Sequence, residues 1–256
     1  MLFLTICTAL GSPVQTVTFQ ANNFMQGSGR SVDDSPRHSV SLSTYKIDQY
    51  EVSIAHFEEF VTTAWTNEQF WHPDSKEWRL KNPDGAGSDN RRADRALNHP
   101  VVAVSWYEAD AYCHWKGGQL PTEAQWENAA CPDAGIFPWG NADDVNAVWY
   151  SGGKYGHLQT VLTKAVDDSP ASQRTEEGLT HTVGNVWEWT SDWYHKDSYK
   201  SPDNFDPKGP DTGTWKTLRG GSYMNLPSYC GCTHREPASP DRVSYTVGFR
   251  CAYDVQ

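Results

Sequence analysis

The pattern of apolar and polar residues predicts several short strands at the start of the chain. Segments 14–24, 39–43 and 45–52 are rich in β-branched and aromatic residues, and a polar, turn-forming segment, 25–38, separates the first two. Residues of these types suit a half-buried, pleated surface. We therefore predict three strands before the first helix.

Three hydroxyl residues mark the starts of helices. Ser53 precedes apolar residues at helical spacing, which indicates a capped amphipathic helix. Ser105 with Glu108, and Thr122 with Gln125, match the capping box, in which each pair satisfies backbone N–H groups at the helix start. Three capped helices are therefore predicted.

Residues 183–194 contain three tryptophans and predict the strand around which the core forms. Trp187, Trp189 and Trp193 share one face in an extended chain, and Glu188 lies on the other. Three Trp side chains on one face would anchor a core. A carboxylate inside such a run needs a cation or a buried hydrogen bond, which makes Glu188 a candidate functional residue.

Composition indicates one compact domain with much irregular structure. The 256 residues show no repeat or linker, and segments 65–98 and 137–179 carry no strong periodicity. The 20 Gly, 15 Pro and 12 Trp accompany a mean hydropathy of −0.68, which is typical of many loops closed by large side chains. The predicted class is α+β.

Net charge narrows the possible partners. The chain has 21 Lys plus Arg against 32 Asp plus Glu, a formal charge of −11, and no basic cluster. This balance disfavours nucleic acid and anionic membranes as partners and leaves a peptide or protein partner open. No segment reaches the roughly 18 apolar residues of a membrane span.

The N-terminus and the cysteines indicate in which cellular compartment the protein functions. Segment 1–11 has the apolar run and small residues of a secretory signal, without a positive start, and the alternative is a first strand. Cleavage would leave residues 12–256 as a secreted or periplasmic domain. Loss of Cys7 would leave five of six cysteines, which predicts two disulfides and one free thiol. Neither a CxxC pair nor zinc-ligand spacing is present.

Six ordered motifs resemble those of the formylglycine-generating enzymes, or sulfatase-modifying factors. They read HPVVAVSW, LPTEAQWE, FPWGN, GNVWEW, RGGS and GFR, and the similarity extends from about residue 26 to residue 253. The resemblance implies a compact α+β domain related to C-type lectins. Some members oxidise a sulfatase cysteine to formylglycine with oxygen and a copper(I)-binding cysteine pair, whereas others use iron or bind ligands.

The resemblance places the catalytic centre after Gly-Gly-Ser-Tyr-Met at 220–224. Asn225 occupies the position of the first copper-binding cysteine, Cys230 corresponds to the second, and Ser222 lies nearby. Two thiolates suit copper(I), whereas one thiolate and an amide do not, so copper is not expected. The segment before Cys232 is shorter than in the family. Cys230 is therefore either the catalytic residue or a spare thiol.

Two disulfides are also implied by the resemblance, Cys113 with Cys251 and Cys131 with Cys232. Each would close a long loop and contribute roughly 4 kcal/mol by restricting the unfolded chain.

A calcium site is the remaining expectation from the resemblance. The ligand positions are His181, Gly184, Val186 and Glu188, which supply backbone oxygens and one carboxylate. The alternative for Glu188 is a buried hydrogen bond to backbone amides.

The sequence therefore predicts a secreted member of this family that lacks the paired copper-binding cysteines. Two alternatives stay open. One is an active sulfatase-Cys or thiol oxidase that uses Cys230. The other is a ligand-binding or assembly module on a C-type-lectin-like fold.

Overall fold

A computed structural model gives the fold and describes residues 14–85, 96–131, 135–140, 164–168, 175–201 and 203–255. The predicted signal segment 1–11 lies outside the described residues, as do parts of segments 65–98 and 137–179, for which the sequence shows no strong periodicity. Helices and strands are mixed throughout the described residues, which confirms the α+β class. No helix in these ranges is long and apolar enough to cross a membrane.

In the part of the chain that the structure describes, the strands form three small sheets. They are β1 (Thr16–Phe19), β2 (Asn22–Gln26), β3 (His38–Leu42), β4 (Tyr45–Asp48), β5 (Trp187–Trp193), β6 (Lys216–Arg219), β7 (Glu236–Ala238), β8 (Val247–Gly248) and β9 (Ala252–Asp254). β4 lies between β1 and β9, and β2 pairs with β3. The third sheet has the order β7-β6-β5-β8, in which β5 is antiparallel to β6 and parallel to β8.

The predicted first strand is two strands in the structure. β1 pairs with β4 and β2 pairs with β3, so the two halves of segment 14–24 join different sheets. Between them the Ala21 N–H donates to Thr44 Oγ1 at 3.0 Å, which fixes the turn. The predicted strand 45–52 ends at Asp48. Val52 N–H then donates to the Phe249 carbonyl at 2.9 Å instead of continuing the sheet.

The three predicted helix caps are present. The α-helices are α1 (Ile54–Thr63), α2 (Lys76–Lys81), α3 (Trp106–Trp115) and α4 (Glu123–Ala130). Ser53 Oγ accepts from the His56 N–H at the start of α1. Both capping boxes form, Ser105 with Glu108 on α3 and Thr122 with Gln125 on α4. Local hydrogen bonding therefore sets where these helices begin.

Segment 65–98 is more regular than its composition indicates. It contains α2 and two 3₁₀ turns, Glu68–Phe70 and Pro73–Ser75. Trp78 on α2 is buried and stacks on Trp71 with ring centroids 6.2 Å apart. Tertiary burial of aromatic side chains thus imposes helical turns where the sequence shows no periodicity.

The main core lies between α1, α3 and the end of the chain. Phe57 on α1 stacks on Tyr112 of α3, with ring centroids 5.7 Å apart, and meets Phe249 edge-on at 6.1 Å. All three side chains are buried. Such aromatic pairs add to the stabilisation that their buried area provides.

β5 is the buried central strand that the tryptophans predict, with one departure from the pattern. Trp187 and Trp189 are buried, but the register of β5 on β6 is interrupted between Trp189 and Trp193. Trp193 is only partly buried. Its ring instead packs against the Lys216 ammonium at 3.9 Å, so the three tryptophans do not form one uniform apolar face.

Both predicted disulfides are present. Cys113 of α3 bonds to Cys251 just before β9, with Cα atoms 5.5 Å apart. Cys131 at the end of α4 bonds to Cys232, with Cα atoms 6.0 Å apart. Within the described residues Cys230 is the free cysteine, and it is buried.

Candidate functional site

Two glycines after β6 bring the chain back onto Cys230. Gly220 and Gly221 have φ of +91° and +76°, a region that L side chains rarely adopt. A Cβ at Gly221 would lie 2.5 Å from Cys230 Sγ and 2.8 Å from Cys230 Cα. Glycine is therefore required here for the two backbone segments to approach.

The residues predicted for the catalytic centre lie together around Ser222. Asn225 Oδ1 accepts from the Ser222 N–H at 3.1 Å and from the Ser222 hydroxyl at 2.5 Å. The Asn225 N–H in turn donates to the Ser222 carbonyl at 2.9 Å. Asn225 is thus the closing residue of a tight turn, a common role for an asparagine side chain.

Cys230 is a buried thiol. Its side chain is fully buried, and its Sγ lies 3.9 Å from the Ser222 carbonyl oxygen and 3.6 Å from that of Leu226. Burial raises the pKa of Cys230 to about 12. At neutral pH it is a protonated thiol, which is neither a good nucleophile nor a good soft-metal ligand.

This loop does not fit a copper(I) ion held by two thiolates. Asn225 supplies one neutral amide oxygen, which is already shared between two Ser222 donors. Cys230 supplies one sulfur whose ionisation is opposed by burial. The set therefore offers a single soft ligand.

Glu188, the candidate calcium carboxylate, is paired with an arginine. Its Oε2 accepts from Arg250 Nε at 2.7 Å and from Trp126 Nε1 at 2.8 Å, and its Oε1 accepts from Arg250 Nη2 at 2.7 Å. Glu188 and Arg250 are both fully buried. Three motifs of the sequence, LPTEAQWE, GNVWEW and GFR, therefore meet at one carboxylate.

The other predicted calcium positions lie on the turn that leads into β5. His181, Gly184 and Val186 are buried, and the Gly184 N–H donates to the Gly220 carbonyl at 2.8 Å. His181 has φ of +54°, and its Nε2 lies 3.2 Å from the Ala165 carbonyl. Burial lowers the pKa of His181 to about 4, so its ring is neutral at physiological pH.

The structure adds Glu51 to this site. Glu51 Oε2 accepts from Asn185 Nδ2 at 2.6 Å, and its buried Oε1 has no hydrogen-bond partner among the described residues. Burial and the neighbouring Glu188 raise the pKa of Glu51 well above its usual value. Glu51 stands 134 positions from Asn185, and no local pattern in the sequence singles it out.

These residues fit a hard cation better than the loop fits copper. Glu51 and Glu188 place two carboxyl groups beside the single Arg250 guanidinium, and a bound cation would favour the ionised form of Glu51 that burial disfavours. An unpartnered buried oxygen is the type of ligand calcium prefers. Within the described ranges, no three His, Cys, Asp or Glu side chains converge as a metal-binding group. Any cation here must therefore rely on backbone oxygens as well.

A second buried ionic network joins the RGGS motif to LPTEAQWE. Arg219 donates to Glu123 Oε1 at 3.0 Å and to Glu127, and Arg235 binds both oxygens of Glu123 at 2.9 and 2.7 Å. Tyr199 completes it by donating to Glu127 Oε2 at 2.9 Å. Much of the motif pattern thus consists of buried ion pairs, which fix the arrangement of the fold.

The fold and these motif contacts define a sulfatase-modifying-factor-like protein. The sequence profile of the family described as "Sulfatase-modifying factor enzyme 1-like domain" matches residues 8–255, and the chain belongs to this family.

Several known proteins are similar to the chain. It is 34% identical to a formylglycine-generating enzyme of Streptomyces coelicolor, covering 89% of this chain and 84% of that protein. It is 34% identical to the formylglycine-generating enzyme of Mus musculus, covering 86% of this chain and 69% of that protein. It is also 31% identical to serine/threonine-protein kinase pkn1 of Chlamydia caviae, covering 94% of this chain but 38% of that protein.

Solved structures support the same fold. Treponema denticola variable protein 1 superposes with a TM-score of 0.71 at 22% identity, covering 96% of this chain and 97% of that one. PvdO from Pseudomonas aeruginosa superposes with a TM-score of 0.73 at 20% identity, covering 94% of each chain.

Proposed function

We propose that this chain is a variant of the family that retains the fold but does not oxidise a sulfatase cysteine. The observation that carries the proposal is the use of Asn225 Oδ1 by both donors of Ser222. An asparagine committed to a turn, beside a buried thiol with a pKa of about 12, supplies neither a thiol pair nor a two-thiolate copper site. In this proposal, Ser222, Asn225 and Cys230 stabilise the loop and have no catalytic role.

The alternative is an oxidase that uses Cys230. The identity of 34% to named formylglycine-generating enzymes favours it, as does the placement of Cys230 against Ser222. In this case the loop 222–230 would open and expose the thiol.

Copper(I) titration of the reduced protein distinguishes the two functions. We expect wild type to bind copper(I) no more tightly than Cys230→Ser, because a single buried thiol offers one soft ligand. Asn225→Cys should bind orders of magnitude more tightly, and Met224→Cys, one residue away and exposed, is the matched control for an added thiol. Formylglycine in a sulfatase peptide, detected by mass spectrometry after incubation with wild type and copper, would refute the proposal.

We also propose a calcium site at the turn into β5. Glu188 and Glu51 would supply carboxylate oxygens, and His181, Gly184 and Val186 would supply backbone oxygens. The orphaned Glu51 oxygen supports this ligand set. Bound calcium would stabilise the turn that lies between the Glu188–Arg250 pair and the network of Arg219, Glu123 and Arg235. It would take no part in redox chemistry.

Calcium should raise the melting temperature of wild type relative to protein in chelator, because a ligand that binds only the folded state stabilises it. Glu51→Gln and Glu188→Gln should each remove most of this increment. Glu77→Gln, an exposed acid on α2, should keep it. Identical melting curves of wild type in calcium and in chelator would exclude the site.

The biological role that fits these features is binding or assembly outside the cytoplasm, with a peptide or protein partner. Two disulfides support an oxidising compartment, secreted or periplasmic. Recovery of the mature protein from the medium or periplasm, with both disulfides oxidised, would test the location.

A further inference from the structure

A cavity separate from the Cys230 loop opens beside the start of α4. Its volume is about 260 Å³, and it lies between the first turn of α4, the end of β5 and the segment 203–210. Asp192 of β5 and Gly209 face each other across its wall. A cavity of this size takes a molecule about as large as a free amino acid.

Asp192 directs an unused carboxylate oxygen towards this cavity. The residue is only 4% exposed. Its Oδ2 accepts from the Glu123 N–H at 2.9 Å and from the Ser191 hydroxyl at 3.2 Å, whereas its Oδ1 receives no hydrogen bond from the described residues. A carboxylate oxygen at the cavity wall without a donor from the protein can accept a hydrogen bond from a ligand.

Gly209 keeps that oxygen accessible. A Cβ at this position would lie 3.1 Å from Asp192 Oδ1 and 3.0 Å from Asp192 Cβ. Gly209 also has φ of +71°, so the backbone here is of the kind that glycine adopts at low cost. The absence of a side chain therefore leaves room at the carboxylate.

Among the described residues, no lysine or arginine forms a salt bridge with Asp192. Glu123 is neutralised by Arg219 and Arg235. Lys216 of β6 lies within the electrostatic range of Asp192, but its ammonium donates to the Ser191 carbonyl at 2.7 Å.

The rim of the cavity adds little positive charge. Asp197 pairs with Lys200 at 2.6 Å. Lys208 is the single lysine or arginine among the described residues that line the cavity, and it is exposed. Burial and the neighbouring Glu123 raise the pKa of Asp192 to about 7.

We propose that this cavity binds the ammonium group of a small primary amine, with Asp192 Oδ1 as its counter-ion. The ammonium would supply both the missing hydrogen-bond donor and the missing positive charge. A charge-assisted hydrogen bond is stronger than one between neutral groups, so the site selects an amine over an alcohol of the same shape.

Ligand-observed NMR titration with n-butylammonium tests the proposal, with n-butanol as the neutral probe. We expect the ammonium to bind at least about tenfold more tightly than the alcohol, and Asp192→Asn to remove about that factor. Gly209→Ala should weaken binding, because its methyl group would crowd Asp192 Oδ1 while the carboxylate keeps its charge. Asp197→Asn, which changes an acid on the same cavity wall that already has a partner, should bind as wild type does.

Two results would overturn the proposal. Equal affinity for butylammonium and butanol would show that no counter-ion acts in the cavity. Unchanged affinity in Gly209→Ala, or a loss in Asp197→Asn as large as in Asp192→Asn, would show that the amine binds through general surface charge. The melting temperature of each variant establishes that it is folded, and Gly209→Ala tests the site independently if Asp192→Asn does not fold.

Discussion

Replacement of Gly221 by alanine tests the close approach that forms the Cys230 loop. The new Cβ would lie 2.5 Å from Cys230 Sγ and 2.8 Å from Cys230 Cα. The sulfur could rotate away, but the Cα belongs to the backbone, so the loop itself must shift. Gly117→Ala is the matched control, because Gly117 has a similar φ of +79° and nothing lies within 4 Å of the place that its new methyl group would take.

Both substitutions place an L residue at a positive φ, but only Gly221→Ala adds a steric clash. An L residue in the left-handed region costs about 1–2 kcal/mol, and the reduced freedom of the unfolded chain returns about 0.4–1 kcal/mol. Gly117→Ala should therefore destabilise the fold by about 1 kcal/mol. Overpacking against a buried backbone adds about 1–3 kcal/mol, so Gly221→Ala should lose about 2–4 kcal/mol.

Urea unfolding of the two variants and wild type measures this difference. The rate at which Cys230 reacts with a thiol reagent gives a second reading, because displacement of the loop should expose the sulfur in Gly221→Ala and leave it protected in Gly117→Ala. Equal destabilisation by the two substitutions, with Cys230 equally protected, would refute the steric argument.

Two further predictions concern buried charge. Arg235→Met should destabilise by about 3–5 kcal/mol in urea unfolding, because it leaves the buried Glu123 and Glu127 to share the single charge of Arg219. Lys81→Met, which breaks an exposed pair, should leave stability unchanged, and similar losses in both variants would contradict the network's role. Burial lowers the pKa of Lys216 from 10.5 to about 8, so between about pH 8 and 10 the unfolded chain holds more protons and stability should rise with pH. Lys216→Met should flatten that rise in denaturant midpoints, and an unchanged slope would show that Lys216 does not titrate there.

The elements that sequence could predict are those fixed by neighbours in the chain. Ser105 with Glu108 and Thr122 with Gln125 are three residues apart, and both capping boxes form where predicted. The division of segment 14–24 between two sheets depends on partners elsewhere, β3 and β4, and could not be read from the segment itself. Helical turns in 65–98 likewise depend on burial against distant aromatic side chains.

In the candidate site, too, residues close together in the sequence could be predicted, whereas partners distant in the sequence could not. The resemblance identified Ser222, Asn225 and Cys230, which lie within one short loop and do come together. The resemblance identified Glu188 as a functional carboxylate, but it did not identify Arg250, which lies 62 positions away and pairs with that carboxylate. Side-chain partners across such separations depend on the completed fold.

The two disulfides have a topological consequence. The bond between Cys131 and Cys232, 101 positions apart, lies inside the 138-position ring closed by Cys113 and Cys251. A protease that cuts once between residues 131 and 232 would therefore release no fragment, because both new ends stay covalently tethered to the α4 region and the C-terminal strands. Exposed loops between the buried elements of the inner ring can accordingly change length at small entropic cost, since loop closure depends only weakly on length. The nested rings thus make this part of the chain a place where new surfaces can arise while the β5 core persists.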